Sequence, residues 1–141
     1  MSSYSFEVHG IPKPQPRGRA VTRKGGHAGI VDPGTSDYWK ALVREASRPV
    51  KPKEPLAGPL MVTLSFRFDR PLTHYGKKGL KPKAPVHHTQ RPDVDNLAKA
   101  VLDALTNEAW WGDDDQIFLL SIGKAWSTVT DRGVSVLVSE V

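Results

Sequence analysis

Two aspartates one residue apart, Asp93 and Asp95, open a stretch that closes on three in a row, Asp113, Asp114 and Asp115, with Lys99 in between. Pro92 favours an extended chain here, and in an extended chain the carboxylates of an i, i+2 pair point to one side. The later acids follow the helix that the first pair starts, and chain returning from that helix can carry one of them back beside Asp93 and Asp95. Carboxylates gathered in this way repel one another unless a hard divalent cation sits among them. Few oxygen ligands with water positions left open suit Mg²⁺, with Mn²⁺ as its substitute. Such an ion neutralises phosphate, polarises phosphorus and lowers the pKa of bound water, which is the chemistry of phosphodiester hydrolysis.

Lys99 stands one turn past Asp95, where its ammonium can meet a scissile phosphate and the charge that grows on it. Each of these residues also has a plainer role: Lys99 in an i, i+4 ion pair with Asp95, and Asp93 and Asp95 as caps that favour a helix N-terminus. Asp103 lies one turn beyond Lys99, either supporting it or simply solvated. The segment "DVDNLAKAVLDA" is a poor calcium loop, with Leu97 at an acidic position, no central glycine and Ala104 in place of the closing glutamate. The chain has no cysteine, and its five histidines lack HxxxH or HExxH spacing, so thiol chemistry, disulfides and zinc are set aside.

The elements that must position these groups follow from periodicity. "YSFEVHG" alternates as a strand. The proline- and glycine-rich stretch from Ile11 to Gly34 reads as a long basic loop, with "GGHAG" as its flexible tip. Thr35 or Ser36 can cap a helix that starts near Asp37 and buries Trp39, Leu42, Val43 and Ala46. "LMVTLSFRFDR" is the clearest strand; residues 70–91 form a second basic loop, with a short strand near Val86. The next helix, capped by Asp93 or Asp95, turns Leu97, Val101 and Leu105 inward and Asn96, Lys99, Asp103 and Thr106 outward. Trp110 and Trp111, at its end, can stack on bases, meet another subunit or be buried. "IFLLSIGKAW" and "GVSVLVSEV", joined through "STVTDR", read as a hairpin. The order β, α, β, α, β, β implies an α+β fold: a single small domain over residues 1–141, with a mixed sheet and two main helices on one face.

The charge is uneven. Net charge is +5, yet no acid occurs between Glu7 and Asp32 or between Arg70 and Arg91. Those two acid-free runs hold Lys13, Arg17, Arg19, Arg23 and Lys24, then Lys77 and Lys78, with Arg91 at the end. Clusters of this kind suit a polyanion, whose condensed counterions they release, and DNA is the expected partner. No apolar run is long enough for a bilayer and no secretory signal opens the chain, so a cytoplasmic protein without a membrane partner is expected.

The run "RPDVDNLAKAVLDALTNEAWWGDDDQI", with its D-x-D-N-L-x-K start, D-A-L helix end and D-D-x-Q turn, resembles the signature of the RusA-like Holliday-junction resolvases of bacteria and phages. The resemblance is close over about a fifth of the chain; several spaced residues agree, which makes it far more specific than a lone DxD. It implies metal-binding carboxylates at Asp93, Asp95 and Asp114, with Asp113 as the neighbouring acid, and a catalytic lysine at Lys99. It also implies a Mg²⁺-dependent homodimer that cuts four-way DNA junctions in pairs. A twofold dimer offers two identical sites to a substrate of matching symmetry. The alternatives are a DNA-binding protein without catalysis, whose acids only cap and pair, and a metal-dependent nuclease for other branched DNA or RNA.

Overall fold

The computed structural model describes residues 1–127 and 130–141. It comprises β1 (Ser2–His9), β2 (Arg19–Arg23), β3 (His27–Val31), α1 (Asp37–Ser47), β4 (Leu60–Phe68), β5 (Tyr75–Gly76), β6 (Gly79–Leu80), α2 (Val94–Asn107), β7 (Ile117–Trp126) and β8 (Gly133–Glu140). The main sheet has four strands in the order β1, β8, β4, β7. β8 runs antiparallel to both β1 and β4, whereas β4 and β7 are parallel. The α+β class, the mixed sheet and the two helices on one face are as the periodicity implies.

The core forms because alternation in the strands meets helical spacing. Leu60, Val62, Leu64 and Phe66 of β4, Val134, Val136 and Val138 of β8, and Phe6 and Val8 of β1 share one face and are buried. Trp39 and Val43 of α1 and Leu97, Val101 and Leu105 of α2 cover them, each large apolar side chain contributing about 1.5–3 kcal/mol on burial. Trp110 and Trp111 are buried too: Trp110 packs its ring on Tyr4 and Phe6, and Trp111 donates its indole N–H to Thr106 Oγ1 at 2.8 Å. Of the three uses open to them, burial is the one realised. The opposite face of the sheet is open and mostly polar. Arg67 there bridges Glu7 and Ser135 at 3.1 and 2.7 Å.

Three expectations are corrected. "IFLLSIGKAW" and "GVSVLVSEV" are strands, but not a hairpin, because β4 lies between them. A parallel β4–β7 pair needs a crossover, which the chain from 69 to 116 supplies through α2; β8 then pairs with the free side of β4. Part of the connection named for that hairpin, residues 128–129, lies outside the described residues. Residues 11–34 are not all loop, since β2 and β3 form a two-stranded ribbon. The prolines that argued against a strand stop at Pro16 and resume at Pro33, and Gly25 and Gly26, with φ of 92° and 80°, make the tight turn between. Val86 is not in a strand; the second basic loop instead carries the small β5–β6 hairpin with Lys77 and Lys78 at its tip. At α1, Ser36 is the N-cap residue but its hydroxyl makes no capping hydrogen bond.

The second basic loop is tied to the sheet by aromatic stacking. His88 lies on Trp126 with ring centroids 4.0 Å apart, Phe68 and His74 meet this pair edge-on, and Arg70 stands over the indole. Burial, followed by the ammonium of Lys124, holds the His88 pKa below the ordinary histidine value. Because the folded value is the lower one, the neutral ring is the stabilising form. Its contribution is complete above about pH 6.5 and is lost as the pH falls from there through the folded value. Acidification from about pH 7.5 to 5.5 should therefore lower the thermal midpoint more in the parent than in His88→Phe, which keeps the stack without the proton. Parallel pH curves for the two proteins in a thermal melt would rule this out.

Candidate active site

α2 sets out the acidic groups in order. Leu97, Val101 and Leu105 fasten one face of the helix to the sheet, so the opposite face must look outward. Asp95, Lys99 and Asp103 follow at i, i+4, i+8 along that outward side, a row about 12 Å long at 1.5 Å per residue. Asp93 is the N-cap residue, yet its side chain makes no capping hydrogen bond. The capping role is thus not what its carboxylate does here. Asp95 Oδ1 accepts from the Asn96 backbone N–H at 2.9 Å.

Lys99 pairs with Asp103 rather than with Asp95: Nζ lies 3.2 Å from Asp103 Oδ1, with the two side chains 57% and 29% exposed. The acid-before-lysine order of Asp95 and Lys99 is the one ordinarily favoured on a helix, so the Asp103 pairing goes against the local preference; the Asp95 carboxylate instead accepts from the Asn96 N–H.

That turn is rigidly made. Gln116 Oε1 accepts from the backbone N–H groups of Gly112 and Asp113 at 2.9 and 3.3 Å, and its Nε2 donates to the carbonyls of Leu56 and Gly58. Asp113 accepts from the Asp115 N–H at 3.1 Å and caps the short helical turn Asp114–Gln116. Asp113 and Asp115 are exposed and Asp114 is half-buried. The Asp114 pKa is raised, first by burial, then by a hydrogen bond with Asp113 and the charges of Asp113 and Asp103; Lys99 alone opposes them. Asp114 is therefore within electrostatic reach of Lys99 and Asp103, and its carboxylate is short of positive charge. A hard cation would supply that charge, and an all-oxygen donor set suits Mg²⁺. Among the described residues, however, no three acids or histidines stand close enough to hold one ion. The charges of Asp113, Asp103 and Lys99 act on Asp114, whereas Asp93 and Asp95 stand at the N-terminal end of α2.

The N-terminal segment docks against that other end. Gln15 N–H donates to the Asn96 carbonyl at 2.8 Å, and Arg17, Arg91, Pro14, Pro92, Asp93 and Asn96 line an open pocket of about 480 Å³. Lys13, Arg17, Arg19, Arg23, Lys24, Lys77, Lys78 and Arg91 are all exposed, and none forms an ion pair among the described residues. Arg19 and Arg23 are on β2 and Lys24 begins its turn.

Lys124 escaped the sequence reading. It lies on the helix-covered face of β7 and donates to the carbonyls of Gln90 and Pro92, the latter at 2.8 Å, holding the segment that leads into Asp93. A signal was present: in "IFLLSIGKAW" the inward positions run Leu120, Ile122, Lys124, Trp126, and a lysine at such a place needs a buried partner.

Residues 9–138 match the family model for the endodeoxyribonuclease RusA. The chain belongs to the RusA endodeoxyribonuclease family. Over 144 aligned residues it is 32% identical to YqaN of Bacillus subtilis (strain 168), an uncharacterized protein, with 100% of this chain and 99% of the relative covered. The RusA match takes in the N-terminal basic segment, both helices and the acidic turn, so the resemblance carried by residues 91–117 extends over nearly the whole chain. No helix among the described residues is long and apolar enough to cross a membrane.

Proposed function

We propose that this RusA-family chain is a Mg²⁺-dependent endonuclease that, as a homodimer, resolves four-way DNA junctions by paired symmetric nicks in recombination and repair, in the cytoplasm of a bacterium or phage-infected cell. The observation that carries the reading is the half-buried Asp114 in an acidic turn, within electrostatic reach of Lys99 on the outward row of α2. Asp93, Asp95 and Asp114, with Asp113 adjacent, are the proposed ligands; to hold one ion they would have to close on it from the separated positions they take here, and Mn²⁺ would substitute for Mg²⁺. A bound ion would supply charge neutralisation and activation at the phosphorus. Lys99 adds a mobile ammonium for the charge that develops on the phosphate, and Asp103 restrains it when DNA is absent. Lys124 and Gln116 hold the two backbone segments that present the acids. Association of two copies is supported by the edge strand β7, where Phe118 and Leu119 are 59% and 51% exposed.

The basic segments bring in the DNA. Replacing Arg17, Arg19 and Arg23 together by Ala should weaken junction binding and flatten its log–log salt dependence by roughly one unit per lost phosphate contact. An unchanged slope in a titration over salt concentration would remove this segment from the interface.

The function is tested by incubating labelled four-way junctions, flaps, plain duplex and RNA with and without Mg²⁺. Mg²⁺-dependent symmetric nicks in the junction are expected. A shifted but uncut junction would instead indicate a DNA-binding protein, and preferential cutting of flaps or RNA a nuclease of another substrate class.

A further inference from the structure

The β2–β3 ribbon is not accounted for by charge alone. Among the described residues its strands pair only with each other, and of their ten residues all but Val21 and Gly29 are exposed. Register divides it into two unlike faces. Arg19, Val21 and Arg23 share one face with His27, Gly29 and Val31; Ala20 and Thr22 share the other with Ala28 and Ile30. On the first face the Arg23 side chain lies across Gly29, where an added Cβ would come within 2.4 Å of Nε. On the second face Ile30 covers Gly18 in the same manner, at 2.2 Å. The result is a slim ribbon, basic on one side and uncharged on the other, where Ala20, Thr22 and Ala28 are small and Ile30 is the one large side chain.

Its root is fixed. Gln15 Nε2 donates to Asp32 Oδ2 at 3.1 Å, Gly34 N–H to Asp32 Oδ1 at 2.7 Å, and Gln15 N–H to the Asn96 carbonyl. The two ends of the ribbon are thereby clipped together at the start of α2, next to Asp93. Five residues per strand reach about 17 Å at roughly 3.4 Å each.

Resting on the reading of DNA as substrate, we propose that this ribbon is an arm that enters the major groove of a duplex branch beside the cutting site. The uncharged face of Ala20, Thr22, Ala28 and Ile30 meets the base edges, and Arg19, Arg23 and Lys24 reach phosphates at the groove wall. A two-stranded ribbon fits a major groove about 12 Å wide as it stands, whereas a minor groove of about 6 Å has to be widened at an energetic cost to take one. Absence of acid from residue 8 to residue 31 and the lack of packing against the body agree with a part made to be covered by a polyanion. A loop that only supplied positive charge would need neither the pairing nor the uncharged face.

Because the chain contains no cysteine, one thiol can be placed at will. Thr22→Cys, and separately Ala28→Cys, would be introduced into the full-length chain and mixed under mildly oxidising conditions with junctions carrying disulfide-activated tethers. In one set the tether leaves cytosine N4, in the major groove; in the other it leaves guanine N2, in the minor groove. Mg²⁺-dependent cutting by the parent chain and both variants is recorded alongside. Cross-linking to the major-groove tether at least about tenfold above the minor-groove tether is expected for both variants. Equal yields, a minor-groove preference, or no cross-link from variants that still cut would overturn the arm while leaving the nuclease reading intact. Cross-linking to the major groove without any cutting by the parent chain would do the reverse, and a parent chain that binds no DNA would overturn both.

Discussion

Asp95→Asn is expected to abolish junction cutting, by at least about a thousandfold, equivalent to about 4 kcal/mol of lost transition-state stabilisation. The substitution keeps the size of the side chain and its acceptor oxygen toward the Asn96 N–H, and removes only the negative charge. If Asp95 holds the ion, chemistry fails while affinity for the junction stays near that of the parent, since binding comes mainly from the exposed basic residues. The fold should not suffer. Asp95 is exposed at the first turn of α2 and has Asp93 as a neighbour of like charge, so any change in thermal midpoint should be small. Single-turnover cutting at saturating Mg²⁺ and binding in the absence of Mg²⁺ separate the two effects. A variant that cuts at the parent rate would remove Asp95 from the site and leave it as a helix-start residue that favours the dipole.

Lys99→Ala should reduce cutting on the order of a hundredfold or more, with metal affinity retained, and Lys99→Arg should rescue it poorly. The competing account is now specific: Lys99 is one half of an exposed ion pair with Asp103. Such a pair is worth only about 0.3 to 0.5 kcal/mol and cannot account for a large loss. Asp103→Asn isolates that contribution, because it removes the partner and leaves the ammonium. Cutting by Asp103→Asn within a few-fold of the parent, together with the large loss in Lys99→Ala, would identify the ammonium as the group that matters. Arginine preserves the charge, but its planar fork replaces a compact ammonium held against Asp103. A Lys99→Ala protein that cuts within about threefold of the parent would return Lys99 to the surface ion pairs.

Much of what positions these groups was legible locally. The helix from Val94 to Asn107 could be read because Leu97, Val101 and Leu105 recur at helical spacing, and β4 because alternation over nine residues leaves little else. The acids at both ends of α2 are adjacent in sequence to the signals that start and stop it. Composition over a wide window misled where a short window would not have: the β2–β3 ribbon sits between two proline-rich stretches, and its Gly-Gly turn is itself a hairpin signal.

The sequence by itself determined the identity and order of the main elements, the one-sided burial of each, and the placing of Asp93, Asp95 and Lys99 on the exposed side of α2, because those depend on periods of two and 3.6 residues. It also carried the motif by which the family is recognised. Tertiary structure alone decided that β4 separates β7 from β8, since strand partners are chosen by the crossover and by shared core contacts far apart in the chain. It decided which acid Lys99 pairs with, how far Asp114 is withdrawn from water, and that Lys124 reaches back to the carbonyls before Asp93. Each of these is a contact or a burial between segments tens of residues apart or on opposite turns of one helix, and no local pattern encodes the distance between them.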